Sequence, residues 1–164
     1  MSMWFLIVCQ ASVLALAALG GVFLAFSDFI MRSLNVTGAP GGIAAMQAIN
    51  REVFRYVFMA LFLGMVPVSA LMLWYGYVYL TGPVAVLLIA GALIYVVASF
   101  GVTAAFNVPL NTALDGLAPD SEAARTFWQA EYLPKWTFWN TVRTCACFAS
   151  SAAYLFALTG QGAT

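Results

Sequence analysis

The chain has no histidine among its 164 residues, and only 7% of it is charged. The missing imidazole removes His-ligated haem, His-ligated zinc or copper, carboxylate–histidine di-iron centres, and every Ser-His or Cys-His nucleophile. The scarcity of charge excludes a water-soluble monomer, because soluble domains run near about 25% charged. Six Lys/Arg balance six Asp/Glu. No basic stripe can form, so no nucleic acid is expected as a partner. Cysteine is scarce and odd in number, at Cys9, Cys145 and Cys147. On a helix, Cys145 and Cys147 point away from each other. All three read as small buried hydrophobes, and no metal site is expected. What the chain does have is apolar bulk: 64% hydrophobic and 15% aromatic. That composition excludes disorder.

A spanning helix needs about 20 apolar residues. Four stretches qualify, at about 4–26, 56–80, 84–106 and 137–158. The N-terminus lacks a positive n-region, and its apolar run exceeds a signal-peptide length, so span one reads as a retained helix. The loop between spans two and three, near Thr81-Gly82-Pro83, is short and uncharged. All twelve charges fall in loops one and three and their flanks. The positive-inside rule then places both charged loops in the cytoplasm and both termini on the opposite side of a bacterial inner (plasma) membrane. Loop one holds a Gly/Pro breaker at Thr37–Gly42, followed by helical spacing at Ile43, Met46, Ile49, Asn50, Val53 and Phe54. Loop three opens at Pro119-Asp120-Ser121 and reads as an amphipathic helix over Glu122 to about Leu133, broken by Pro134. Small residues at four-residue steps, in span one (Ala11, Ala15, Ala18; Ala17, Gly21, Ala25) and span three (Gly91, Ala98, Gly101, Ala105), predict close helix packing. Trp4, Trp74, Tyr75, Tyr77 and Tyr79 suit an aromatic belt at the uncharged face. The fold class is all-α. It is a polytopic membrane protein, one domain over 1–164, built as an up-down bundle of four transmembrane helices with an extra amphipathic helix in loop three.

Polar residues recur at helical steps near the charged face. Asn107, Asn111 and Asp115 share one face of span three. Trp136, Trp139, Asn140 and Arg143 share one face of span four, and Arg143 lies one to two turns inside it. Span one leaves with Asp28 and Arg32. Span two enters with Asn50, Arg51, Glu52 and Arg55. Unpaired charges in a bilayer cost about 2.5–3.5 kcal/mol each. The simplest arrangement pairs Asp28 and Glu52 with Arg55 and Arg143. Two readings stand side by side: a polar cluster that pins helix register, and a pocket open to the charged face.

At these residues the sequence resembles a known family. Gly20-Gly21-Val22-Phe23 through Ser27-Asp28, Ala45-Met46-Gln47-Ala48-Ile49-Asn50, Asn107-Val108-Pro109-Leu110-Asn111, and Trp136-Thr137-Phe138-Trp139-Asn140-Thr141-Val142-Arg143-Thr144 look like the small integral membrane proteins grouped with the fungal anthrone oxygenases. The resemblance implies four transmembrane helices. It implies activity only loosely, because one fold hosts many chemistries.

An anthrone is a carbon acid whose anion can react with oxygen without a metal, so no cofactor is expected. An enzyme of this kind needs a base, an oxyanion site and an apolar pocket. Asp28 or Glu52 is the candidate base. Arg143 would stabilise the oxyanion with Asn107, Asn111 and Asn140. Trp136 and Trp139 would stack on the ring, and Arg55 would complete the binding set. Beside this oxygenase-like enzyme stand two alternatives. One is a non-catalytic accessory subunit packed against other membrane subunits. The other is a binder of a quinone-like or lipid molecule. The lipid bilayer is a partner in every case.

Overall fold

The computed structural model describes residues 2–55 and 57–160. Among them run five helices: α1 Met3–Val36, α2 Ala39–Glu52, α3 Val57–Tyr79, α4 Gly82–Asp115 and α5 Glu122–Thr159. Four of these, all but α2, are long and apolar enough to cross a membrane. The expected spans fall on these four helices, Tyr56 itself lying outside the described residues.

Helix length explains the architecture. At 1.5 Å per residue, the 34 residues of α1 and of α4 reach about 51 Å, against about 30 Å of hydrocarbon. The surplus projects at the charged end. There the end of α1, α2, the end of α4 and the start of α5 build a cap around its own core. Met31, Ile43, Met46, Leu114, Trp128 and Tyr132 are buried in it. A second core fills the bundle, with Leu16, Leu19, Phe62, Met72, Leu88, Tyr95 and Tyr154. The corner between α1 and α2 is tight. Gly38 adopts φ +85° there, a conformation that side chains rarely allow. A Cβ on Gly42 would lie 2.4 Å from the Leu34 carbonyl.

Hydrogen bonds tie the helices together at depth. Ser151 Oγ donates to the Val13 carbonyl at 3.0 Å, linking α5 to α1. Ser150 Oγ donates to Gly91 O at 2.7 Å, linking α5 to α4. Tyr95 OH donates to Phe62 O at 2.5 Å, linking α4 to α3. At the uncharged end Trp4 meets Tyr75 edge-on, and Trp74 meets Tyr79.

Three expectations are corrected. In the small-residue rows of span one only Ala15 and Ala25 are half-buried, Ala15 against the bundle core. Ala11, Ala17, Ala18 and Gly21 are exposed, and α1 instead buries Phe5, Cys9, Ser12, Leu16, Leu19 and Phe23. Large side chains gain more dispersion contact in the bundle core. Cys145 is exposed, unlike Cys9 and Cys147. The loop-three helix is present but unbroken at Pro134, which lies inside α5. A π-helical turn over Trp128–Tyr132 immediately precedes it, with Leu133 N–H bonded back to Trp128 O. That wider turn makes room for the proline ring. Pro109 is carried in the same way, behind a π turn at Thr103–Asn107. A further π turn occupies Phe26–Ile30 of α1.

Candidate functional site

An apolar cavity of about 120 Å³ lies where the bundle meets the cap. The π turns of α1, α4 and α5 fall at this level, as π turns often do at functional sites. Phe23 and Phe26 come from α1, and Met46, Ile49 and Asn50 from α2. Phe58, Met59 and Phe62 come from α3, Thr103, Val108 and Asn111 from α4, and Trp136 and Arg143 from α5. An outer vestibule of about 610 Å³ shares Asn50, Phe54, Val108 and Asn111 with the cavity and adds Arg51, Thr112 and Asp115.

Arg143 is the charged group in the cavity wall, with 5% of its surface exposed. Its Nη1 donates to Thr103 Oγ1 at 3.2 Å and its Nη2 to Asn140 Oδ1 at 2.7 Å. Its Nε is buried and has no partner. The guanidinium lies 4.3 Å from the centre of the Phe23 ring and 5.3 Å from that of Trp136, close enough for cation–π attraction. The salt bridges among the described residues are Arg51–Asp115, Arg55–Glu52 and Lys135–Glu131. Arg143 is in none of them. Buried charges are ordinarily paired with an opposite charge. Among the described residues this one is held by amide, hydroxyl and aromatic faces alone, and none of them compensates its positive charge.

The neighbours are themselves fixed. Asn140 Nδ2 donates to Phe23 O and to Ser27 Oγ, both at 2.6 Å, which sets its Oδ1 toward Arg143. Thr103 Oγ1 donates to Ser99 O at 2.8 Å, which leaves its lone pairs to the guanidinium. Asn111 Oδ1 accepts from Tyr132 OH and Trp136 Nε1, each at 2.8 Å. Trp128, Tyr132 and Trp136 stack in sequence at 5.3 and 6.1 Å between centroids. Gln47 Nε2 clamps the end of α4 through Leu114 O and Leu117 O. The cavity is thus rigid on its polar side.

The residues expected in the site divide into three groups. Arg143, Asn111 and Trp136 line the cavity. Asn140 and Asn107 are buried behind it. Asn107 Nδ2 donates to Trp136 O at 3.2 Å, and its Oδ1 has no partner. Asp28, Glu52, Arg55 and Trp139 are not among the lining residues. Asp28 is exposed on α1, where the π turn Phe26–Ile30 sets its direction. Glu52 and Arg55 pair with each other at 3.1 Å on the surface. Of the two carboxylates and two arginines expected to pair, Glu52 meets Arg55, and neither carboxylate meets Arg143. Trp139 stacks on Phe106 at 3.8 Å, away from the cavity.

Sequence reasoning missed Tyr132, Thr103 and Gln47 as site residues. Tyr132 had a usable signal, since Trp128, Tyr132, Trp136 and Asn140 stand at four-residue steps. Thr103 and Gln47 had none that separates them from other polar residues in helices.

The comparisons with known proteins agree with this picture. No curated protein and no solved structure matches the chain. The anthrone oxygenase family matches residues 51–153. That segment is more than half of the chain and carries Thr103, Asn107, Asn111, Trp136, Asn140 and Arg143. The chain belongs to the anthrone oxygenase family.

Proposed function

We propose that this small membrane protein binds a lipophilic hydroxyaromatic or enolisable aromatic ketone as its anion, and that it oxygenates that anion. The observation that carries the reading is Arg143, a buried cation with a free Nε and no carboxylate partner among the described residues, in the wall of an apolar cavity. An incoming oxyanion would supply the missing negative charge and accept from the guanidinium. A charge-assisted bond of this kind contributes about 1.5–3 kcal/mol. Trp136 and Phe23 offer flat faces to a ring.

The family name suggests the reaction. An anthrone loses a proton from its methylene carbon, and the resulting enolate places its charge on oxygen, facing Arg143. Dioxygen then adds at that carbon. One oxygen atom becomes a new carbonyl and the other leaves as water with the two methylene hydrogens. The electrons come from the substrate anion. Neither Asp28 nor Glu52 is assigned as the base, because both lie outside the cavity lining. Arg143 makes the anion accessible, and the proton passes to water through the vestibule. The absence of a lining carboxylate among the described residues also supports a second reading, a binder of a quinone-like molecule without turnover.

The arginines and lysine of the cap favour placing it in the cytoplasm of a bacterial inner membrane. The aromatic-rich outer faces leave room for other membrane subunits.

The test is oxygen uptake by the full chain in phosphatidylcholine vesicles given anthrone. The expected result is one dioxygen consumed per anthraquinone formed, and uptake that falls to the vesicle baseline in Arg143→Met. Binding of anthrone with no uptake above the baseline would leave the binder reading. Neither binding nor uptake would overturn both.

A further inference from the structure

We propose that the cavity has two mouths of opposite chemical character, and that the ligand reaches Arg143 from the bilayer through the apolar mouth, with Val22 as its threshold. The proposal rests on the site binding a lipophilic aromatic, and it adds the route.

The route follows from how the helices pack. α1 lies along α5 for much of its length but meets α3 sparsely. α1 and α3 touch at the uncharged end, where Phe5 stacks on Tyr75 at 3.6 Å and the Cys9 thiol meets Met72, and at Phe23, whose ring lies 5.5 Å from Phe58. Between Phe23 and the cap the two helices are separated by the cavity. Among the described residues, its lining on this side is Val22 and Phe26 from α1 with Val53, Phe54 and Met59, Phe54 being shared with the vestibule. Every one of these is apolar. Val22 is 42% exposed and Phe54 67%. Val22 lies within Met3–Ala25, a stretch without a charged residue, so the α1 side of this mouth faces hydrocarbon. The next residue, Phe23, is 4% exposed and carries the Arg143 guanidinium over its ring. An exposed residue of α1 is thus followed directly by one that packs on the charged wall.

The other mouth is the vestibule. Arg51 and Asp115 form an ion pair in its wall at 2.5 Å, beside Asn50, Asn111 and Thr112. An apolar ring passing there would displace water from charged groups at a cost, whereas water and protons pass freely. A lipophilic ligand is already concentrated in the bilayer. It enters neutral, because an anion is expelled from hydrocarbon. At Arg143 its O–H bond breaks heterolytically. The electron pair stays on the ligand oxygen, and the proton leaves through the polar mouth to water. No oxidation is involved in this step.

The experiment is stopped-flow quenching of tryptophan fluorescence by β-naphthol, with the full chain in phosphatidylcholine vesicles. Val22 is replaced by Ala, Phe and Trp. Association and dissociation should slow together in that order, by roughly tenfold for Val22→Trp, with Kd unchanged, as a gate requires. Thr112→Trp, which fills the polar mouth, should leave association as in the wild type. Unchanged rates across the Val22 series, or slowing by Thr112→Trp instead, would overturn the route. Arg143→Met tests the underlying site separately: if it binds β-naphthol as tightly as the wild type, the site reading fails. If its binding is lost while the Val22 series is flat, the site stands and the route does not. The Val22→Phe and Val22→Ala proteins keep the test decisive should Val22→Trp fold poorly.

Discussion

Replacing Arg143 with Met separates a functional cation from a structural one. Methionine keeps most of the volume and removes the charge. In the ligand-free protein the change relieves about 3 kcal/mol of charge burial, on membrane insertion scales. Against this, Asn140 Oδ1 loses its donor, which costs about 1–3 kcal/mol. Thr103 is not stranded, because its hydroxyl already donates to Ser99 O. Asn140 keeps its own bonds to Phe23 O and Ser27. The cation–π contacts with Phe23 and Trp136 remove about 1–2 kcal/mol more. These terms cancel to within about 1–2 kcal/mol, so thermal unfolding in detergent should shift by only a few degrees. Ligand affinity should behave differently. Loss of a charge-assisted bond of about 1.5–3 kcal/mol lowers it roughly 10- to 150-fold. The assay pairs melting of the ligand-free protein with β-naphthol titration in vesicles. A variant that loses several kcal/mol of stability yet binds β-naphthol normally would refute the reasoning and make Arg143 a fastener between helices.

Three further outcomes follow from the same geometry. Asn140→Leu strands the Arg143 Nη2 and cuts the tie from α5 to Phe23 O and Ser27, so it should cost about 2–4 kcal/mol, read by thermal melting. Gly42→Ala puts a Cβ 2.4 Å from the Leu34 backbone oxygen and should lose about 1–3 kcal/mol; Gly64→Ala meets nothing within 4 Å and should be neutral or gain about 0.5–1 kcal/mol. Asp115→Asn breaks the exposed pair with Arg51 and should change stability by less than about 1 kcal/mol, an effect that fades in added salt.

The parts of the fold that were legible in the sequence are those set by hydropathy. The four spans, the helix of loop one and the gathering of charge at one end follow from where apolar residues run and where they stop. The continuity of α5 through Pro134 was not legible, because a π turn shifts the hydrogen-bond step to five residues and has no residue signature of its own. Asp28 lies on another such turn, over Phe26–Ile30, where the 3.6-residue periodicity read from sequence does not hold. Arg143 stood out as a charge inside a span. Its surroundings did not. Charge balance in a bilayer pointed to a carboxylate partner, while the chain surrounds the guanidinium with Asn140, Thr103 and two aromatic rings. Asn111 and Trp136 were found because they repeat at helical steps with other polar groups. Trp139, at the same kind of step, faces outward to Phe106, and only packing decides between such neighbours.

The central claim is that an uncompensated Arg143 draws an aromatic anion into the cavity. The direct measurement is the absorption of bound β-naphthol as pH is raised, because the phenolate absorbs to the red of the phenol. A nearby cation favours the charged form of an acid and lowers its pKa. The wild-type protein should therefore ionise bound β-naphthol about one unit or more below the pH at which it ionises in protein-free vesicles, and Arg143→Met should abolish that difference. Ionisation of the bound probe at the same or higher pH than in vesicles would contradict the account.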